Sequence, residues 1–262
     1  MLDNPILQTL LNRKSIRKYR DEMPSDEIIA AVVRSGEQAP FASQLGSLLL
    51  SRNIKKNAFH APLLFTVCLD AYRWELIMAR RGWQKYSSDW MMLVLGMQDA
   101  AYMAENMVIA AESLGMGSCF LGAAPLRADR IAAQYHLPLR VFPMVQLSMG
   151  YPAENPPTRP RYPLDFTLFE DRYPEFTEEQ ITRAMAVMDE GYLAQDYYSR
   201  LKARIHLEGE REETFTYETY SWTEHICRKW GQPYFPDILK EQFEKRGFDF
   251  TVKEGHIEPE NL

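Results

Sequence analysis

At 262 residues, 46% hydrophobic and 25% charged, the chain has the composition of an ordinary globular protein, which excludes disorder and collagen-like structure. Lys and Arg total 30 against 36 Asp and Glu; this net charge of −6 lacks the basic excess a phosphate backbone needs, so nucleic acid is not an expected partner. No apolar run approaches the roughly 18 residues of a membrane span, no leader pattern opens the chain, and Cys68, Cys119 and Cys227 form neither a disulfide framework nor a Cys-x-x-Cys site, so a cytoplasmic protein without metal or membrane contact is expected.

In chain order, Ser25 with Asp26 and Glu27 predicts a helix start, with Ile28, Ile29, Val32 and Val33 as its apolar stripe and an end near Gly36. Leu63 to Leu69, rich in β-formers after Pro62, predicts a strand. From Met97 to Leu114, Ala100, Met103, Ala104, Met107, Val108 and Ala111 recur at helical spacing, and Gly115 is placed to take the left-handed C-cap. A strand at Ser118 to Leu121, a helix at Ala128 to Tyr135 and an alternating strand at Met144 to Gly150 follow. Five of the 16 prolines then fall between Pro152 and Pro163, a stretch too poor in amide donors for helix or central strand and therefore an extended connector. It divides the chain into a core, residues 1–163, and a C-terminal helical extension, residues 164–262, whose first helix opens on a Thr177 and Gln180 capping box.

The glycines between Gly115 and Gly122 are no dinucleotide fingerprint, because there a helix leads into a strand rather than the reverse. No His-Glu-x-x-His or Gly-x-Ser-x-Gly occurs, and His60, His136, His206, His225 and His256 are scattered, so hydrolase and metalloenzyme chemistry are not expected. Cys119, on an apolar strand, reads as a small buried hydrophobe. Anion chemistry remains. Arg13-Lys14-Ser15-Ile16-Arg17 sets three cations and a hydroxyl where an early helix gives way to extended chain, and Arg159-Pro160-Arg161 holds two guanidiniums on a proline-stiffened backbone. Taken alone, each also reads as a solvated basic patch.

In several ordered segments the chain resembles the FMN-dependent nitroreductase family. Arg13 to Arg17 is similar to the family's N-terminal phosphate motif, and Asp99 to Asn106 with Ala110 to Gly117 to its central helix and following turn. Gly150 to Pro156 with Arg159-Pro160-Arg161 is similar to the segment that returns to the flavin phosphate. Asp196-Tyr197-Tyr198, Tyr220-Ser221-Trp222 and Gly247-Phe248 resemble the subgroup of oxygen-insensitive nitroreductases and NAD(P)H:flavin oxidoreductases. The resemblance implies an α+β fold, three layers α/β/α around a mixed, mostly antiparallel sheet, in an intertwined homodimer with FMN at the subunit interface. Arg13, Lys14, Ser15, Arg17, Arg159 and Arg161 would by this resemblance hold the FMN phosphate and ribityl chain, and the amides of Leu121 and Gly122 would face flavin N5. Pro40-Phe41-Ala42-Ser43-Gln44 resembles the loop along the isoalloxazine ring, but it departs from the usual Ser-x-x-Asn-x-Gln-Pro-Trp, with Gln44 near the expected Asn and Gly46-Ser47 in place of Gln-Pro.

Arg200, Lys202 and Arg204 resemble the basic loop that selects NADPH by its 2′-phosphate, and the same spacing suits the solvated face of a continuing helix. The implied activity is ping-pong hydride transfer from NAD(P)H through flavin N5 to nitroaromatic, quinone or flavin acceptors, with no catalytic side chain. Open alternatives are a flavin-dependent dehalogenase, a flavin-fragmenting relative and a non-enzymatic FMN-carrying redox sensor.

Overall fold

The structure, a computed structural model, describes residues 3–234 and 238–251; His256 and the end of the expected extension lie outside them. The chain divides into two compact units, Met1–Pro156 with Asp237–Leu262, and Pro157–Pro236. The helices of the first unit are α1 (Pro5–Asn12), α2 (Asp26–Glu37), α3 (Tyr72–Arg80), α4 (Trp90–Ser113) and α5 (Ala128–Tyr135). After α6 (Glu178–Leu193), α7 (Tyr197–Leu201) and α8 (Trp222–Gly231) of the second unit, α9 (Leu239–Lys245) belongs again to the first.

The sheet of the first unit comprises β1 (Gly46–Ser51), β2 (Leu63–Asp70), β3 (Gly117–Leu121) and β4 (Val141–Gly150), in the order β1-β2-β4-β3, with every pairing antiparallel. Among the described residues the parallel component is one isolated bridge, Ser15 to Ser118. β2 is buried along its whole length, which explains its unbroken apolar run. β1 has no alternation to predict it; antiparallel pairing with β2 makes a strand of the Leu48–Leu50 run.

α2 starts as its sequence predicts, with the Ser25 hydroxyl accepting from the Ile28 amide. α4 starts at Trp90, earlier than its clearest periodicity. It buries Gly96, Asp99, Ala100, Ala104, Met107, Val108 and Ala111, packing with Leu63, Phe65 and Val67 of β2, Leu147 and Met149 of β4, and Val32 of α2. Small residues permit that proximity: a Cβ at Gly96 would lie 2.5 Å from Leu69 Cγ. In the second unit the Thr177 and Gln180 capping box opens α6, and the Asp189 carboxylate accepts from Thr223 in the first turn of α8, amide at 2.8 Å and hydroxyl at 2.5 Å.

From the far part of the expected extension, Phe243 and Phe248 pack within the first unit on Phe142 at the start of β4. Phe142 stacks on Phe243 at 3.7 Å and meets Phe248 edge-on at 6.1 Å. Beside them Arg140, in a left-handed conformation (φ 71°), forks onto the fully buried Asp89 with two contacts of 2.7 Å. The same guanidinium reaches Glu75 at 2.5 Å and the Gly247 carbonyl at 2.9 Å. Lys85 at 2.9 Å and the Asp249 amide at 2.6 Å complete the shell of Asp89.

Burial by itself would raise the Asp89 carboxyl, but hydrogen bonds from Arg140, the Asp249 amide and Lys85 outweigh it and hold the group below the usual carboxylate range. A depressed folded-state value means that this contribution is complete above the unfolded Asp value of about 3.9 and is lost as pH falls through the lower folded value. Urea midpoints of the wild type should therefore drop on acidification below about pH 4, more steeply than those of Asp89→Asn. Arg140→Met, which strands a buried carboxylate, should cost on the order of 3–5 kcal/mol at pH 7 by urea denaturation.

Candidate functional site

α1 ends at Asn12, and Arg13 (φ −55°, ψ 133°) turns the chain into an extended segment along the end of the sheet. The Ile16 amide donates to the Ser118 carbonyl at 2.8 Å, the Arg20 amide to the Tyr151 carbonyl at 2.9 Å, and Tyr19 bridges Pro152. Ile16 is buried and anchors the segment. A glycine pair makes room for it, because Gly117 of β3 faces Gly150 of β4. A Cβ at Gly117 would lie 2.4 Å from Ile16 Cγ1, and one at Gly150 would lie 2.7 Å from Pro62 Cδ and 3.2 Å from Tyr19 Cδ1.

On this segment Arg13, Lys14, Ser15 and Arg17 are all half-buried. The turn after β4 is tied directly to them: the Glu154 carboxylate accepts from the amides of Arg17 at 2.6 Å and Lys18 at 3.1 Å, and the Lys14 ammonium donates to Asn155 Oδ1 at 2.5 Å. Among the described residues no carboxylate forms an ion pair with the side chains of Arg13, Lys14 or Arg17. The Ser118 hydroxyl beside Ser15 is buried without a hydrogen-bond partner, as is Oε1 of Glu112 on α4. Burial pushes the Glu112 carboxyl up to about 7 against the pull of Arg13 and Lys14. Concentrated cations with a neighbouring hydroxyl are an anion-binding arrangement. Leu121 ends β3 half-buried, and the exposed Gly122 after it has no atom within 4 Å of a would-be Cβ.

The other predicted group, Phe41, Ala42, Ser43 and Gln44, lies in the loop between α2 and β1, with Phe41 55% exposed. Its backbone is wound around the Asp99 carboxylate, which accepts from the amides of Ala42 at 2.8 Å, Ser43 at 3.3 Å and Leu45 at 2.9 Å. Trp74 Nε1 donates to the Ser43 carbonyl, and the Arg73 guanidinium to the carbonyls of Gln44 at 3.2 Å and Gly46 at 2.5 Å. Gln44 takes a left-handed conformation (φ 50°). A cavity of about 270 Å³ lies beside the loop, with Asp99, Met103, Phe41, Gln44, Arg73 and Glu37 in its wall. The sequence predicts the loop but no role for Asp99, Arg73 or Trp74; the available signal was an acid set into the apolar stripe of α4, next to Ala100.

Arg159, Arg161, Arg200, Lys202 and Arg204 belong to the second unit. Arg159 donates to Gln195 and lies over the Tyr197 ring at 4.1 Å. Arg161 is exposed, its guanidinium donating to the carbonyls of Arg159 at 3.1 Å and Pro160 at 2.9 Å. Arg200 and Lys202 are exposed, on and just beyond α7. Arg204 is turned inward instead, donating to the Phe215 carbonyl at 2.7 Å and lying over the Tyr217 ring at 4.9 Å.

The α+β core with its antiparallel sheet is shared with known proteins. The nitroreductase family model matches residues 49–151. Over 257 residues the chain is 27% identical to FMN reductase (NADPH) of Bacillus subtilis (strain 168), covering 91% of this chain and 98% of that protein. It is also 27% identical over 259 residues to the oxygen-insensitive NADPH nitroreductase of Salmonella typhimurium (strain LT2), with the same coverage. Among solved structures, B. megaterium NfrA2 superposes with a TM-score of 0.81 at 22% identity, covering 95% of this chain and 99% of that one. The chain is therefore similar to the nitroreductase family over residues 49–151, to reductases of that kind along most of its length, and to B. megaterium NfrA2 in its fold.

The glycine contacts predict a sharp asymmetry. Gly117→Ala should destabilise the fold by about 1–3 kcal/mol as Ile16 is displaced. Gly122→Ala, facing open space, should stay within about 0.5 kcal/mol of wild type in the same urea titration.

Proposed function

We propose that this chain binds FMN and uses it to oxidise NAD(P)H and reduce small electron-poor acceptors such as quinones, nitroaromatics or free flavin. The observation that carries the reading is the half-buried cluster Arg13, Lys14, Ser15 and Arg17 at the sheet's end, in a chain similar along most of its length to an FMN reductase (NADPH) and an NADPH nitroreductase. The donor set fits a terminal phosphate: Arg13, Lys14 and Arg17 have no carboxylate partners among the described residues, and Ser15 between them is bridged through its backbone to Ser118, whose buried hydroxyl has no hydrogen-bond partner. For Arg159 and Arg161 the assignment to the same phosphate stands on sequence resemblance.

When bound, FMN supplies the hydride chemistry, and the chain's own groups bind, orient and exclude water. The open space at Gly122 suits close approach of a ring edge to the backbone amides of Leu121 and Gly122. The Phe41–Gln44 loop supplies a wall for a flat ring. Arg200 and Lys202, being exposed, are the cations available to a 2′-phosphate, whereas the guanidinium of Arg204 is engaged inside its unit.

The outer side of α4 carries Trp90, Met91, Val94, Met97 and Tyr102, all exposed. Such an apolar strip calls for a cover, and a second copy of the chain in an intertwined, three-layered homodimer supplies it. No helix of the described residues is long and apolar enough to cross a membrane, and three free thiols suit a reducing cytoplasm.

The purified protein should be yellow and release FMN on denaturation, and Arg17→Ala should weaken FMN binding by about tenfold to a hundredfold in a fluorescence titration, the scale of a hydrogen bond to a charged group. A colourless protein that cannot be reconstituted with FMN refutes the reading. Initial rates with NAD(P)H and a quinone should give parallel double-reciprocal lines. The double variant Arg200→Ala, Lys202→Ala should raise KM for NADPH while leaving KM for NADH nearly unchanged.

A further inference from the structure

The Phe41–Gln44 loop is not fixed by burial, since Phe41, Ala42 and Gln44 are exposed and Ser43 is only half-buried. Polar anchors fix it from two sides. From below, the Asp99 carboxylate, 4% exposed, takes three loop amides; from the flank, Trp74 and Arg73 take the carbonyls of Ser43, Gln44 and Gly46, with Arg73 itself held by Asp70 at 2.9 Å. Burying a face of α4 requires no carboxylate, and Ala100 and Ala104 are buried on the same helix without one. A buried carboxylate is costly unless several donors converge on it. Here the converging donors are main-chain amides of one short loop, so the ionised group dictates that loop's backbone.

From this geometry we infer that Asp99 is a positioning residue for the flavin ring: it presets the backbone on which Phe41, Ser43 and Gln44 are displayed beside the 270 Å³ cavity. The inference rests on the FMN reading for what the loop meets. A specific consequence follows. With the amides of Ala42, Ser43 and Leu45 turned onto Asp99, the loop meets the ring through side chains and not through those three amides.

The test uses the full chain with Asp99→Asn and Trp74→Phe, read by FMN titration, the visible absorption of bound flavin, and hydrogen exchange at residues 42–45. Asp99→Asn keeps the size and removes the charge; it should lose protection at residues 42–45, shift the flavin absorption band and weaken FMN by about tenfold. Trp74→Phe removes one donor to the loop and should move the same three readouts in the same direction by a smaller factor. Wild-type flavin affinity and an unshifted spectrum in Asp99→Asn, or in Trp74→Phe should Asp99→Asn not fold, overturn the inference while the FMN reading stands. A wild-type chain that binds no FMN overturns both.

Discussion

Everything at the candidate site depends on how closely α4 lies against the sheet. Gly96, Ala100, Ala104 and Ala111 leave so little side chain between helix and strands that β2 can present an unbroken apolar surface to it. This one contact sets three things. Near its middle, α4 places Asp99 under the loop that follows α2. Further along, Asn106 Nδ2 donates to the Ser35 carbonyl at 3.1 Å and secures the end of α2 from which that loop departs. At its end, Gly115 in a left-handed conformation turns the chain straight into β3, against which the Arg13–Arg17 segment pairs.

The first unit keeps two acidic side chains almost wholly buried in α4 or at its N-cap, and their partners separate their tasks. Asp89 is met by Arg140 and Lys85 as well as one amide, so charge cancels charge and the result is a clasp joining the start of β4 to the segment after α9. Among the described residues the Asp99 carboxylate is met in its hydrogen bonds by main-chain amides, so it is compensated by dipoles that belong to a single loop. The first arrangement stabilises a fold; the second stabilises a conformation at its surface.

The cationic segment shows a third use of polarity. The segment that carries Arg13, Lys14 and Arg17 is held through backbone atoms, by pairing with Ser118, Tyr151 and Pro152 and by Glu154 on the amides of Arg17 and Lys18, with the Lys14 ammonium also donating to Asn155. The guanidinium and ammonium groups of these three residues are not consumed in ion pairs among the described residues. Arg204 and Arg228 of the second unit illustrate the contrast, because both turn onto Glu213 and neighbouring rings and serve the packing of that unit.

Much of this was legible in the sequence where the cause is local. The Ser25 cap, the Thr177 and Gln180 capping box, the unbroken apolar run of β2 and the periodicity of α4 each involve residues a few positions apart, and each appears in the structure, α4 beginning at Trp90, about two turns before the predicted Met97. The Arg13–Arg17 cluster was visible for the same reason. What the sequence left open depended on partners far along the chain. Asp99 meets Leu45 across 54 positions, and Asp249 meets Asp89 across 160. β1 becomes a strand only by pairing with β2, and Arg204 leaves its neighbours Arg200 and Lys202 because Phe215 and Tyr217 fold back beside it. Caps and periodicities are written into neighbouring residues, whereas the choice of which buried charge meets which distant amide is made only when the chain closes on itself, since no local pattern encodes a contact between segments that the fold alone brings together.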